Sequence, residues 1–123
     1  MTGEELLERA HAVAVEAYAP YSGYRVGASV LTADGRVFDG VNVENAAYPL
    51  GVCAEKSAIA AAATAGVRPG DIAAIGITAS PCGGCRQWLH EWRIPRVTFR
   101  RVDGTLGEYA AAELLPDTWD LPE

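Results

Sequence analysis

The stretch VGASVLTADGRVFDGVNVEN, residues 26–45, sets the strongest limit on what this chain can fold into. Two apolar, β-prone runs flank Asp34-Gly35, the short-range signature of a tight hairpin turn. Both runs are rich in apolar residues, so the spacing predicts a hairpin at the centre of a sheet, covered on both sides. The rest of the chain alternates. CAEKSAIAAAATAG reads as an alanine-rich helix closed by Gly66, and DIAAIGITAS as a buried strand. PCGGCRQWLHEW is a turn opening into a helix, and RVTFRRV after Pro95 is a strand. Asp103-Gly104 marks a further turn before a short strand or loop and a last helix in TLGEYAAAELLP. Ahead of the hairpin, TGEELLERAHAVAVEAYA carries a capping-box pattern, Thr2 with Glu5. Leu6, Ala10, Val13 and Ala17 recur there at helical spacing, and Pro20 and Gly23 end the run. The order α, β, β, α, β, α, β implies an α/β layer fold with a mixed sheet: an antiparallel hairpin, then parallel crossovers.

No repeat or linker divides the 123 residues, so they are expected to form a single domain, 1–123, with its own core. The longest apolar run is far short of the roughly 20 residues that cross a bilayer. MTGEELLERAHAV lacks the basic start and apolar middle of a signal peptide. A cytoplasmic location without membrane association is therefore the default expectation. The net charge of −6 argues against nucleic acid as a partner, because phosphate contacts need clustered Lys and Arg. A small-molecule partner is expected instead.

Three cysteines carry the chemistry. Cys53 stands two residues before Glu55, and Cys82 and Cys85 follow Pro81 in a C-x-x-C. A lone C-x-x-C fits redox chemistry, zinc or chance, and the redox reading leaves Cys53 and Glu55 unexplained. A structural zinc normally has four protein ligands, whereas the two histidines, His11 and His90, lie outside the cysteine motifs. Three thiolates with an open fourth position are what a catalytic zinc needs. Both cysteine groups fall where a helix begins, and a helix N-terminus carries about half a positive charge that favours thiolates. Glu55, in the first turn after Cys53, can face the open position without being a ligand.

NVENAAY, CAE and PCGGCRQ together resemble the cytidine deaminase family, in its short-chain homotetrameric type with a three-cysteine zinc site. The resemblance runs from about Tyr18 to Trp119. It implies a three-layer fold with a mixed five-stranded sheet flanked by helices, and one zinc ion per subunit. It implies hydrolytic deamination of cytidine or 2′-deoxycytidine, as in pyrimidine salvage: a zinc-activated water attacks C4 of the base. Glu55 then moves the water's protons to N3 and to the departing amine. The uracil nucleoside leaves with ammonia.

The resemblance also implies the substrate contacts. Asn42 and Glu44 match the family's readers of ribose hydroxyls, and Tyr24 stands where phenylalanine usually packs on the base. Ala54 offers a backbone group to the base. Trp119 matches a C-terminal aromatic lent to a neighbouring subunit's pocket, with Tyr48 at the same shared boundary of a homotetramer. Two positions depart from the family's pattern. Lys56 replaces the usual arginine after the catalytic glutamate, and GITASPC approaches Pro81 by a shorter path. A related activity on a modified cytosine nucleoside, such as blasticidin S or an N4-substituted cytidine, is the alternative; NVEN favours the ordinary nucleoside.

Plainer roles stand beside these. Asn42 and Glu44 also fit the polar side of a half-buried strand. Trp88 and Trp92, four residues apart, fit packing anchors on the third helix. His11 and His90 receive no role.

Overall fold

The computed structural model describes residues 1–122; Glu123, the last residue of the expected domain, lies outside the described residues. Among the described residues, four α-helices and five strands form in the order α1 (Gly3–Val13), β1 (Gly27–Thr32), β2 (Val37–Val41), α2 (Ala54–Thr64), β3 (Ile72–Ile77), α3 (Gly83–Glu91), β4 (Val97–Arg100), β5 (Leu106–Tyr109) and α4 (Ala111–Leu114). The strands make one sheet with spatial order β2-β1-β3-β4-β5.

Alternation along the strands divides the core in two. Ala28, Val30, Ile75, Ile77, Val97 and Phe99 join residues of α2, α3 and α4 in one buried cluster. The small residues between them, Gly27, Gly76 and Thr98, face α1, whose Leu6, Leu7 and Ala10 are fully covered. The result is three layers, with α1 on one face of the sheet and α2–α4 on the other. Thr2 caps α1 as its pattern predicts: its hydroxyl accepts from the Glu5 amide and the Glu5 carboxylate accepts from the Thr2 amide. The regular helix is shorter than the periodicity suggests, because Ala14–Glu16 tighten into a 3-10 turn.

One expectation about the sheet is corrected, and the crossovers take a particular form. The hairpin forms at Asp34-Gly35, with Gly35 at φ 90, but it is not central as a whole: β1 is interior and β2 is an edge. The partners of β1 are β2 and β3, both antiparallel, and only β3 and β4 pair in parallel. The chain from β2 through α2 to β3 does return parallel to β2, but β1 lies between the two strands. The single adjacent parallel crossover is β3–α3–β4.

Alanine positions let α2 lie close on the sheet. Ala54, Ala58 and Ala62 repeat every four residues and are completely buried. They meet Gly40 of β2, where a Cβ would sit 2.2 Å from the Ala58 nitrogen and 2.6 Å from the Ala54 carbonyl oxygen. This close approach fixes the height of the first turn of α2 above the sheet. Trp92 packs against the same core, whereas Trp88 is 38% exposed and anchors less than its spacing suggests.

Candidate metal centre and active site

The N-termini of α2 and α3 carry the cysteines. Cys53 is the N-cap of α2 and Cys82 the N-cap of α3, both in extended backbone, and Cys85 lies in the first turn of α3. The Sγ of Cys82 accepts the Cys85 amide hydrogen at 3.4 Å, a capping bond made by sulfur instead of oxygen. The three Sγ atoms all lie within 4.8 Å of one another. Thiolates on one tetrahedral zinc, at Zn–S distances of about 2.3 Å, stand roughly 3.8 Å apart, so this donor set fits zinc without rearrangement of the fold.

Electrostatics favour the same conclusion. Burial pushes the Cys53 and Cys85 thiols up, and the neighbouring Glu55 charge adds to both. Burial also opposes ionisation of Cys82, but hydrogen bonds from Cys85 and Cys53 outweigh it and bring that thiol down. Burial likewise raises the carboxyl of Glu55, which is 4% exposed. Three thiols and a carboxyl crowded this closely cannot all ionise without a cation among them.

Lys56 brings its side chain to the first turn of α3, near Cys82. A Cβ at Gly84 would lie 3.7 Å from Lys56 Nζ and 4.0 Å from Cys82 Sγ, so the ammonium and the sulfur flank the same glycine in the first turn of α3. The turn before α3 is held by a residue to which the sequence attached no role. Arg86 donates from Nε to the Pro81 carbonyl at 2.9 Å and from Nη1 to the Leu114 carbonyl at 3.2 Å.

Two adjoining cavities open beside the cysteines. One, of about 390 Å³, is lined by Tyr24, Ala54, Glu55 and Cys82, with Ala79, Ser80 and Val102 on its wall. The other, of about 460 Å³, is lined by Tyr21, Glu44, Tyr48 and Val52. Ser22, Asn42 and Cys53 border both, so the two form one cleft running from Glu55 to Glu44. Val102 is fully exposed at its mouth, on the turn after β4, a place that strand and turn patterns do not connect to a site.

Asn42 and Glu44 lie just beyond β2, where Val43 bridges to Tyr18 and Val52. Asn42 Oδ1 accepts from the Val26 amide at 2.8 Å, and its Nδ2 donates to the Tyr24 carbonyl at 2.9 Å. Glu44 Oε1 accepts from the Tyr21 and Ser22 amides at 2.9 and 3.1 Å, and the Ser22 hydroxyl donates to Oε2. The Ser22 hydroxyl and these amides hold the Glu44 carboxyl below its ordinary value. Both side chains therefore shape the 21–26 loop as well as the cleft. Ser22, which completes the arrangement, sits in PYSGY, a segment that reads only as a turn.

The structure brings together ten of the eleven residues singled out from the sequence; Trp119 is the exception. It is 72% exposed and lines neither cavity. Tyr48 is 76% exposed and packs edge-on against Tyr21, with ring centroids 6.1 Å apart.

Comparison with known proteins gives the family and the fold. The family described as the cytidine and deoxycytidylate deaminase zinc-binding region matches residues 1–101. The cytidine deaminase of Sporosarcina psychrophila is 37% identical, over 94% of this chain and 90% of that protein. The cytidine deaminase of Mycobacterium tuberculosis is 39% identical, over 89% of this chain and 84% of its own length. A crystal structure of cytidine deaminase from Burkholderia pseudomallei superposes with a TM-score of 0.90 at 44% identity, covering 97% of this chain and all (100%) of that one.

Proposed function

The chain belongs to the cytidine and deoxycytidylate deaminase family, and we propose the following division of labour for its zinc-dependent deamination of cytidine and 2′-deoxycytidine. Cys53, Cys82 and Cys85 hold the zinc. Bound there, zinc lowers the pKa of water toward neutrality and so supplies a nucleophile at physiological pH.

Glu55 moves the protons. Its carboxylate takes one proton from the attacking water and delivers it to N3 of the base, then carries the second to N4. A C4–O bond forms, the C4–N4 bond breaks, and ammonia departs from a uracil nucleoside. The observation that carries this reading is the buried Glu55 beside three converging sulfurs at two helix N-termini.

Asn42 and Glu44 bind the sugar. After its two bonds to the 21–26 loop, Asn42 keeps one donor and one acceptor site, which suits a hydroxyl that gives and takes a hydrogen. The ionised Glu44 accepts from another hydroxyl through its remaining lone pairs. Tyr24 covers the base and the Ala54 backbone hydrogen-bonds its edge; both line the cavity that holds Glu55.

The chain acts as one catalytic domain, 1–123, within a homotetramer whose subunits share sites through Tyr48 and Trp119. Exposed apolar side chains at the cleft rim support this assembly: Tyr18, Val43, Tyr48, Leu50 and Val52 are each at least 41% exposed. Three free thiols suit the reducing cytoplasm, where the salvage of nucleosides takes place. No helix among the described residues is long and apolar enough to cross a membrane.

The test is a substrate panel on zinc-quantified protein, beginning with cytidine and including 2′-deoxycytidine, blasticidin S and N4-substituted cytidine. Loss of the cytidine absorbance band with matching ammonia release is expected. Zinc-loaded protein inert toward every aminopyrimidine nucleoside contradicts the reading.

A further inference from the structure

The segment that carries Trp119 has no regular secondary structure, yet two of its side chains converge on one atom of α3. His90 Nε2 lies 3.0 Å from Thr118 Oγ1 and 3.1 Å from Asp120 Oδ1. A carboxylate and a hydroxyl meeting at one ring nitrogen are both satisfied when that nitrogen bears the hydrogen and shares it between two oxygens. The imidazole is largely covered, its side chain 21% exposed, so it offers a fixed anchor to a tail that is otherwise open to solvent. Asp117, with φ 52, turns the chain immediately before the clamp.

The clamp has a directional consequence. Residues 118 and 120 are both drawn to α3, and the residue between them is turned out: Trp119 is 72% exposed. The same helix starts at Cys82 and holds Cys85, five residues before His90, or roughly 7.5 Å along the axis. One rigid element therefore ties the metal ligands to the orientation of the indole.

We propose that His90 is a positioning residue: by clamping Thr118 and Asp120 it holds Trp119 outward, ready to cover the cleft of a second copy of this chain. The inference rests on the reading of Trp119 as an aromatic lent between subunits, and it deepens that reading. A tail already ordered by the clamp loses less freedom when the indole closes over a nucleoside, so removing the clamp weakens substrate binding. No proton transfer or change of bonding is involved.

The experiment is a double-mutant cycle on the zinc-loaded full chain, reading KM and kcat for cytidine, zinc content and Tm. Trp119→Ala is expected to raise KM about tenfold, as loss of a covering aromatic does. His90→Ala is expected to raise KM about three- to tenfold, with zinc retained and with a larger change in KM than in kcat. The double variant should be no worse than Trp119→Ala alone, because the clamp acts only through the indole. His90→Gln, whose amide N–H reaches close to the place of Nε2, should restore most of the loss. The pair Thr118→Ala with Asp120→Ala, which leaves His90 in place, should reproduce the rise in KM even where His90→Ala folds poorly. A rise with Trp119→Ala but none with the Thr118/Asp120 pair overturns the clamp alone. Additive effects, or loss of zinc from the Thr118/Asp120 pair, overturn it as well. An unchanged KM in Trp119→Ala overturns the reading on which the clamp rests.

Discussion

Lys56 and Cys82 flank a single glycine: a Cβ on Gly84 would lie 3.7 Å from the lysine nitrogen and 4.0 Å from the cysteine sulfur. The relationship gives the residue after Glu55 a physical task. A divalent ion with three thiolates carries one net negative charge, which weakens it as a Lewis acid. Positive charge beside the sulfurs draws electron density back. The two helix N-termini do this from fixed positions, and Lys56 does it from the end of a flexible stem.

Lys56→Ala is expected to keep zinc while lowering kcat on the order of tenfold, the effect of one neighbouring charge in a partly covered site. Lys56→Arg, whose planar fork offers several donors at once, should change turnover or the pH profile with zinc still bound. Zinc analysis beside steady-state kinetics checks both. If neither variant alters either quantity, Lys56 is a solvated helix residue.

Gly40→Ala tests how the sheet sets the height of α2. The added methyl would meet the Ala58 nitrogen at 2.2 Å and the Ala54 carbonyl oxygen at 2.6 Å, both backbone atoms that cannot swing aside. A loss of about 1–3 kcal/mol in stability is expected, as for an overpacked core. Since α2 carries Glu55 and is capped by Cys53, zinc affinity should fall with it. Urea denaturation and zinc titration report the two effects.

Asp39 gives a pH dependence away from the metal. Burial opposes its ionisation, but hydrogen bonds from Arg9 and Ser29 outweigh it and hold the carboxyl below its ordinary value. A depressed carboxylate contributes stability above its unfolded pKa, about 3.9, and the contribution is lost as pH falls through the lower folded value. Arg9 is 47% exposed, so the pair is worth about 1 kcal/mol or less. Asp39→Asn should therefore be slightly less stable than the parent at about pH 7, and the difference should shrink as pH falls through the folded value of the Asp39 carboxyl. Paired denaturation curves measure it.

Asn42→Ala removes the two hydrogen bonds that tie Val26 and Tyr24 to the end of β2. A stability loss of about 1–2 kcal/mol is expected together with a raised KM, because the side chain that ties the loop is also the one proposed to bind the sugar. Glu44→Gln should raise KM through the sugar and loosen the 21–26 loop. Limited proteolysis of that loop, compared with KM, separates the two contributions.

Local features were legible in the chain before its fold was known. The Asp34-Gly35 turn, the Thr2–Glu5 cap and the start of α2 at Cys53 depend on residues within four positions of one another. The cysteine and glutamate spacing was legible for the same reason, since an N-cap and its first turn are set by sequence distance. Sheet order was not. Whether β1 meets β3, leaving β2 at an edge, depends on how Gly40 admits α2 and on which apolar faces close together, and runs of Val, Ile and Ala do not encode their neighbours. The hold of Asn42 on the 21–26 loop, the hold of Arg86 on Pro81 and the placement of Trp119 away from both cavities are all tertiary, so no local pattern announces them.

The most direct test of the account is Glu55→Gln, assayed for bound zinc and for turnover of cytidine on the same preparation. The account predicts zinc retained in a one-to-one ratio by the three cysteines, with kcat lower by a factor of about 10²–10⁴ or more, the contribution of a positioned proton carrier. A zinc-loaded Glu55→Gln protein that turns over cytidine within about tenfold of the parent would contradict it.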